Sequence, residues 1–136
     1  LAHMVPRGGV YAVDTEASMV KHLAERAKKA GLANLTPVRG AADDPRLPEK
    51  ADLVLLVDVY HHVEHRERYF SKLAAALKPG GRVAIVDFRM DSPRGPPQAA
   101  RVEAATVKAE LGPGGYRVVQ EHAFLPHQYF IVFEKR

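Results

Sequence analysis

The chain has 136 residues, of which 46% are hydrophobic and 26% are charged, and its formal net charge is +4. This length suffices for one domain with a single apolar core, and we expect residues 1–136 to form it. The basic residues are scattered, which argues against a nucleic-acid interface. The absence of cysteine excludes disulfide and thiolate chemistry and fits a cytoplasmic protein. No apolar stretch approaches the roughly 20 residues of a membrane span.

The first part of the chain alternates strand and helix signals. Val10–Val13 is a β-branched and aromatic run that predicts a strand ending at Asp14. Thr15 is a candidate N-cap for the next segment, where apolar residues recur at helical spacing. Leu35–Val38 predicts a second strand, and Gly40–Pro48 is rich in turn residues.

The middle of the chain contains the most apolar segment. Leu53–Val57 is an unbroken apolar run bounded by aspartates, which is typical of a strand buried on both faces at the centre of a parallel sheet. Glu64–Lys78 predicts an amphipathic helix ended by Pro79-Gly80-Gly81, and Arg82–Asp87 predicts another buried strand. The Pro-rich segment Asp91–Pro97 predicts a surface loop.

The last part of the chain predicts a helix and two strands. Ala99–Leu111 has a helical pattern, and Tyr116–Glu121 and Gln128–Glu134 read as strands. Their short connection indicates an antiparallel pair, since a parallel crossover needs about a dozen residues. The alternation of elements predicts an α/β fold, with helices on a mostly parallel sheet and an antiparallel pair at one edge.

Polar residues follow two of the early strands. Asp14 ends a strand at the edge where α/β nucleotide binders hold ribose hydroxyls, although a charge favourable to the helix dipole explains it equally well. After the next strand, Gly40, Ala41 and Ala42 would let the backbone approach a flat ring, and Asp43 would accept a hydrogen bond from an exocyclic amine. An ordinary Asp-Pro turn is the favoured alternative for this loop.

The residues after Leu53–Val57 are the strongest chemical candidates. Asp58 is expected to point into a crevice, where an ammonium group of a ligand is its favoured partner over a backbone amide or an arginine. His61 and His62 are candidates for a general base, a polar substrate contact or helix-start residues. His61 and His65 have metal-ligand spacing, but no third ligand accompanies them, so we predict no metal site.

Four segments together resemble class I S-adenosylmethionine-dependent methyltransferases: Val10–Asp14 with Met19, Gly40–Asp44, Asp52–His62 and Leu77–Phe88. The closing strand pair is similar to that family's antiparallel edge hairpin. The likeness covers almost the whole chain and is greatest to the small-molecule branch, which includes ubiquinone/menaquinone C-methyltransferases and arsenite methyltransferase-like proteins. The resemblance implies a Rossmann-like fold and methyl transfer from S-adenosylmethionine to a small-molecule acceptor.

The resemblance also implies roles for individual residues. Those implied to bind the cofactor follow three of the strands: Asp14, Thr15, Met19, Ala41, Ala42, Asp43, Asp58 and Val59. Those implied to border the acceptor are Tyr60, His61, His62 and Arg94, with His61 or His62 as the base. Asp14 would bind the ribose, and Asp58 would face the methionine end. The family often has an acidic residue where Ala41 stands, which leaves the adenine amine to Asp43 or to a backbone group.

The chain departs from the family at its start. The family's first strand and glycine-rich loop, on the order of 30 residues with the crossover helix, are expected before Leu1, and Leu1–Val5 would be the tail of that helix. The missing strand would lie between the strands that end at Asp14 and at Asp58. We therefore expect a gap in an N-terminally incomplete sheet, unless these neighbours pair directly or a second copy fills the gap as a homodimer.

Two other functions compete with methyl transfer. A nicotinamide-dependent oxidoreductase would need a Gly-x-Gly-x-x-Gly segment, which is also missing, and the antiparallel C-terminal pair argues against it. A non-catalytic interaction domain that retains the fold with an incomplete cofactor site is the stronger alternative. A basic nucleic-acid binder is the weakest, because the positive charge is not clustered.

Overall fold

Six strands and three α-helices are distributed along residues 1–136, all of which are described by a computed structural model. The strands are β1 (Val10–Asp14), β2 (Leu35–Arg39), β3 (Ala51–Val57), β4 (Leu77–Phe88), β5 (Tyr116–His122) and β6 (Gln128–Lys135). The helices are α1 (Ala17–Lys29), α2 (Arg66–Ala75) and α3 (Ala104–Leu111), and short 3₁₀ turns lie at Ala2–Met4, Tyr60–His62 and Gln98–Ala100. None of the helices combines the length and the apolar character needed to cross a bilayer.

The chain divides into two compact units, Leu1–Pro48 and Glu49–Arg136. In the first unit, β1 and β2 pair in parallel, in a register that runs from Val10 opposite Leu35 to Asp14 opposite Arg39. The helix α1 connects these strands and packs on both of them. The organisation of residues 1–136 as one domain stays a prediction.

The start of α1 differs from the sequence prediction. The helix begins at Ala17, and Glu16 occupies the N-cap position without a side-chain cap. The carboxylate of Asp14 accepts a hydrogen bond from the backbone N–H of Glu16 at 3.0 Å. The prediction of Thr15 as the N-cap is therefore wrong, because the strand-ending aspartate supplies the acceptor instead.

The segment before β1 forms a single 3₁₀ turn rather than part of an α-helix. The side-chain amide of Asn34 donates to the carbonyl oxygens of Ala2, Val5 and Gly8 at 2.9, 3.0 and 3.2 Å. Because Asn34 directly precedes β2, these bonds tie the N-terminal segment to the strand pair of the first unit.

Gly40 lies where the loop after β2 crosses close to β1. A Cβ atom at this position would lie 2.8 Å from Cγ1 of Val13 and 3.2 Å from the carbonyl oxygen of Pro45. The backbone N–H of Gly40 also donates to the carbonyl of Asp14 at 2.9 Å, which leaves the loop little room to move away.

We expect Gly40→Ala to lower the free energy of unfolding by about 1–3 kcal/mol, because the added methyl group overpacks a contact with Val13. Urea denaturation followed by circular dichroism measures this loss. Gly9→Ala is the matched control, since a Cβ at Gly9 would have no atom within 4 Å. Equal effects of the two substitutions would show that the close approach at Gly40 does not constrain the loop.

In the second unit, four strands form a sheet in the order β3-β4-β6-β5. β3 and β4 are parallel, whereas β6 is antiparallel to both β4 and β5. The predicted antiparallel C-terminal pair is thus confirmed. β4 and β6 are the two interior strands, and the residues of β4 from Val83 to Asp87 are all buried. Helix α2 packs on α3, and α3 packs on β5.

β3 is an edge strand, which corrects the prediction that it is central and buried on both faces. It pairs only with β4, and Leu53, Leu55 and Val57 are 59, 38 and 48% exposed. An apolar run records the residue types of a strand but not how many neighbours the strand has. β1 likewise pairs only with β2, so the two strands expected to flank the gap do not pair with each other.

Two helix boundaries also differ from the sequence prediction. Helix α2 ends at Ala75, and Leu77 already belongs to β4, which includes Pro79-Gly80-Gly81. Leu77 pairs with Ala51 before the register shifts, so the strand partner overrides the helical pattern. Helix α3 begins at Ala104 because a 3₁₀ turn and an extended stretch occupy the predicted first turn.

Candidate functional site

The carboxyl ends of β3 and β4 lie at one edge of the sheet in the second unit, because the two strands are parallel. β6 is antiparallel to β4 and pairs Gln128 with Phe88, so the start of β6 reaches the same edge. Open parallel sheets bind ligands just beyond the carboxyl ends of their strands. The polar residues at this edge form the candidate site of the unit: Asp58, His61, Asp87 and Gln128.

Asp87 holds His61 by several contacts to one carboxylate. Nδ1 of His61 lies 2.9 Å from Oδ1 and 2.8 Å from Oδ2 of Asp87, and the backbone N–H of His61 donates to Oδ2 at 3.1 Å. The backbone N–H of Phe88 donates to Oδ1 at 2.8 Å. Only 5% of the His61 side chain and 3% of the Asp87 side chain are exposed. The imidazole ring is therefore fixed at the end of β4.

These contacts determine which ring nitrogen of His61 carries the proton. Backbone N–H groups can only donate, so the Asp87 carboxylate that receives two of them acts as an acceptor. Nδ1 of His61 then carries the proton that points to Asp87, and Nε2 keeps its lone pair. An imidazole oriented in this way can accept a proton from another molecule at Nε2.

His62, the other candidate base, has no such partner. Its side chain is exposed, and its ring centroid lies 4.1 Å from that of His61. The structure thus distinguishes two adjacent histidines that the sequence left equivalent: one is oriented by a buried carboxylate and the other faces solvent.

Asp58 directly follows β3 and has a backbone conformation that few residue types adopt. Its φ angle is 58°, in the left-handed region, where aspartate is better tolerated than most non-glycine residues. Its backbone N–H donates to the carbonyl of Val86 at 2.8 Å. Its Oδ1 accepts a hydrogen bond from Nε2 of Gln128 at 2.6 Å. The other carboxylate oxygen has no partner in the chain, so the negative charge is uncompensated.

Tyr60 is a core residue, although the sequence placed it beside the acceptor. Its side chain is completely buried, its ring centroid lies 5.3 Å from that of Phe70, and the Arg66 guanidinium lies 5.1 Å from the ring. Its hydroxyl is buried without a hydrogen bond. Burial raises the pKa of Tyr60 well above its ordinary value, so the phenol stays neutral. We assign Tyr60 to the core rather than to the acceptor site.

The remaining candidates after β3 lie on the protein surface. Val59 is exposed next to Asp58. Arg94 is exposed in the Pro-rich loop after β4, and its backbone N–H donates to Oγ of Ser92 at 3.2 Å. Gly95 packs against Phe88 with φ 99°, and a Cβ there would lie 2.6 Å from the aromatic ring. The loop is therefore packed onto the end of β4.

Arg101 organises the same loop. Its guanidinium donates to the carbonyl oxygens of five residues at 2.8–3.2 Å: Arg89, Met90, Ser92, Arg94 and Pro96. These bonds hold the residues on both sides of Arg94 to a single side chain. The predicted loop is thus confirmed as irregular, and its backbone is held in place by hydrogen bonds from Arg101.

In the first unit, the predicted cofactor residues lie at the carboxyl ends of β1 and β2. Asp14 and Asp43 are partly buried, and so is Ala41, whereas the others are exposed (Thr15, Met19 and Ala42). The backbone N–H of Ala41 donates to the carbonyl of Asp44 at 2.7 Å, which closes a tight turn after Gly40. One oxygen of the Asp14 carboxylate accepts the Glu16 N–H, and the other has no hydrogen bond within the chain.

A pocket of about 230 Å³ lies at the end of the β5–β6 pair. Its lining consists of residues from both strands, from their connection and from the residue after β4: Arg89, Glu121, His122, Ala123, Gln128, Tyr129, Phe130 and Ile131. Gln128 therefore both donates to Asp58 and lines this pocket.

Sequence reasoning missed two residues of the site, Asp87 and Gln128. Asp87 carries a detectable signal, because a charged residue inside the otherwise apolar run Val83–Phe88 requires a buried partner. Gln128 carries no such signal, since a polar residue at the start of a strand is ordinary.

The residues present fit two parts of S-adenosylmethionine, the cofactor implied by the resemblance. The uncompensated carboxylate of Asp58 suits the ammonium of the amino-acid part, and the unbonded oxygen of Asp14 suits a ribose hydroxyl. The 136 residues contain no glycine-rich loop after a first strand, so no residue is assigned to the remainder of the methionine portion.

Comparisons with known proteins also point to the methyltransferases. A family model described as a methyltransferase domain matches residues 1–83. An uncharacterized protein of Synechococcus sp. is 32% identical over 87 residues, which are 62% of this chain and 21% of that protein. The chain therefore spans about a fifth of the length of this curated relative.

Solved structures share the fold over nearly the whole chain. A SAM-dependent methyltransferase from Aquifex aeolicus matches with a TM-score of 0.91 at 22% identity, over 99% of this chain and 73% of that one. Magnesium protoporphyrin IX methyltransferase from Synechocystis PCC 6803, crystallised with bound SAH, matches with a TM-score of 0.68 at 17% identity, over 94% of this chain and 64% of that one. The chain belongs to the methyltransferase-domain family, and its α/β fold is that of the S-adenosylmethionine-dependent methyltransferases, as its sequence motifs indicated.

Proposed function

We propose that the protein transfers a methyl group from S-adenosylmethionine to a small-molecule acceptor that gives up a proton. The observation that carries this proposal is the buried Asp87 carboxylate that fixes His61 with Nδ1 protonated. Family membership supports methyl transfer, and the oriented imidazole supports an acceptor with an O–H or N–H group.

In each unit, separate residues are proposed for a part of the cofactor. Asp14 is proposed to accept hydrogen bonds from the ribose hydroxyls, with Thr15 and Met19 beside the adenosine. The loop after β2 is proposed to line the adenine ring through Ala41, Ala42 and Asp43. Asp58 and Val59 are proposed to hold the methionine end.

When bound, the cofactor supplies an electrophilic methyl group on a sulfonium. The residues of the chain are proposed to position the acceptor and to accept its proton. His61 is proposed as the base, because its Nε2 has a lone pair and its Nδ1 is held by Asp87. His62 and Arg94 are proposed to border the acceptor. His62 is exposed after β3, and Arg94 is exposed on the loop that follows β4. An acceptor that has no proton to lose would not need His61 as a base.

Two further expectations belong to the same proposal. A cytoplasmic location is proposed from the absence of cysteine and of an apolar membrane span. Association of two copies is proposed from the unpaired edge and exposed apolar residues of β3. The same unpaired edge supports the second candidate function, a non-catalytic interaction domain.

Titration calorimetry with S-adenosylhomocysteine tests the proposed function. We expect micromolar binding by the chain and a loss of about tenfold or more in Asp14→Ala, because hydrogen bonds to a charged group contribute about 1.5–3 kcal/mol. Lys21→Ala, an exposed change on α1, is the control and should leave binding unchanged. A well-folded chain that releases no heat would favour the interaction domain, and equal effects of both substitutions would remove Asp14 from the site.

A further inference from the structure

Gln128 is the only hydrogen-bond partner of the Asp58 carboxylate within the chain. The contact joins Nε2 of Gln128 to Oδ1 of Asp58 at 2.6 Å across 70 residues of sequence. Both side chains are partly buried, which strengthens such a bond relative to one in open solvent. The neutral amide orients the carboxylate without cancelling its charge.

The backbone around this contact is also fixed. Asp58 has a φ angle of 58°, a conformation that costs free energy and persists only where neighbouring contacts impose it. The Asp58 N–H donates to Val86 of β4, and Gln128 is placed by its pairing with Phe88 of the same strand. β4 therefore holds both members of the pair at one edge of the sheet.

We propose that Gln128 is a positioning residue for the cofactor: its side-chain amide holds one oxygen of Asp58, so that the other oxygen accepts hydrogen bonds from the ammonium group of the amino-acid part. This inference rests on the proposed function and adds a residue that lies outside the four family-like segments. A positively charged residue in place of Gln128 would pair with Asp58 and remove the charge that the ammonium needs. The neutral amide of Gln128 does not compete with the ligand ammonium for the negative charge of Asp58.

The inference predicts an effect confined to ligands with an amino-acid part. S-adenosylhomocysteine carries the ammonium, whereas 5′-methylthioadenosine has the same nucleoside without it. In Gln128→Met, which keeps the side-chain length but removes the donor, binding of S-adenosylhomocysteine should weaken about tenfold. Binding of 5′-methylthioadenosine should change less than about twofold, because the adenosine contacts are not altered.

Two variants complete the experiment, with calorimetry of the full chain as the measurement. Gln120→Met is the matched control, since Gln120 is exposed on β5 and has no hydrogen bond to Asp58. It should alter the binding of neither ligand. Gln128→Asn, whose amide is one methylene shorter, should show the same selective loss and replaces Gln128→Met if that variant does not fold by circular dichroism.

A double substitution shows whether Gln128 acts through Asp58. Asp58→Asn alone should weaken S-adenosylhomocysteine binding by about tenfold or more, and adding Gln128→Met should cost little further affinity, since the two side chains act as a unit. Additive losses would overturn the inference, and so would equal weakening of both ligands or an unchanged affinity in Gln128→Met. A wild-type chain that binds neither ligand would instead overturn the proposed function itself.

Discussion

Substitution of Asp87 by asparagine is expected to lower the rate of methyl transfer by about 10³-fold. The carboxylate accepts from Nδ1 of His61 and from two backbone N–H groups, and an asparagine offers only one oxygen for these donors. Its NH₂ group would face a donor or would donate to Nδ1. His61 would then carry its proton on Nε2, where it cannot act as a base, and a positioned general base typically contributes about 10²–10⁴-fold to a rate.

The tautomer can be measured without knowing the acceptor. Long-range ¹H–¹⁵N correlation spectra of the imidazole rings distinguish a protonated Nδ1 from a protonated Nε2. We expect His61 to be protonated on Nδ1 in the wild-type chain and on Nε2 in Asp87→Asn. Unchanged affinity for S-adenosylhomocysteine in the variant would assign the loss of rate to proton transfer rather than to cofactor binding.

Comparison among the histidines supplies the controls for this prediction. His61→Gln should lower the rate as strongly as Asp87→Asn, because both remove the proposed base. His65→Gln should have no effect, since His65 is exposed and its side chain has no contact with Asp87. A larger loss in His62→Gln than in His61→Gln would assign the base to the exposed ring and contradict the role of Asp87.

Local sequence patterns predicted most elements and missed what depends on distant partners. The strand before Asp14 and the antiparallel C-terminal pair were predictable, because residue types and loop length determine them. The edge position of β3 was not, since an apolar run such as Leu53–Val57 looks the same with one neighbour or with two. The β4 start at Leu77 was missed for a related reason: pairing with Ala51 outweighs the helical spacing of the preceding residues.

The candidate site follows the same rule. Asp58 and His61 were found because they follow an apolar strand, where polar residues are unexpected. The choice between His61 and His62 required the position of Asp87, 26 residues further along the chain. Gln128 lies 70 residues from Asp58, and no local pattern joins residues at such a separation.

Removal of the Arg101 guanidinium is expected to lower the free energy of unfolding of the second unit by about 2–3 kcal/mol. In Arg101→Met, five carbonyl oxygens of the loop after β4 each lose one donor. Those of Arg89 and Met90 keep a second donor, the Ser92 N–H and the Gln98 side-chain amide, whereas some of the others are too enclosed to be fully hydrated. Arg101→Lys should recover only part of the loss. The single ammonium group of lysine cannot reach all the carbonyl oxygens that the three nitrogens of the planar guanidinium reach. Chemical denaturation measures both variants.

Hydrogen exchange locates the effect of Arg101 in the loop. The amide of Ser92 donates to Arg89 and that of Arg94 donates to Ser92 Oγ, so both should exchange faster in Arg101→Met. Arg117→Met is the control, because Arg117 makes only an exposed ion pair with Glu134 at 3.4 Å, and such pairs contribute little to stability. If exchange of the loop amides stays slow in Arg101→Met, packing of Gly95 on Phe88 holds the loop without the arginine. If it accelerates while S-adenosylhomocysteine still binds with wild-type affinity, the loop serves the acceptor side of the site alone.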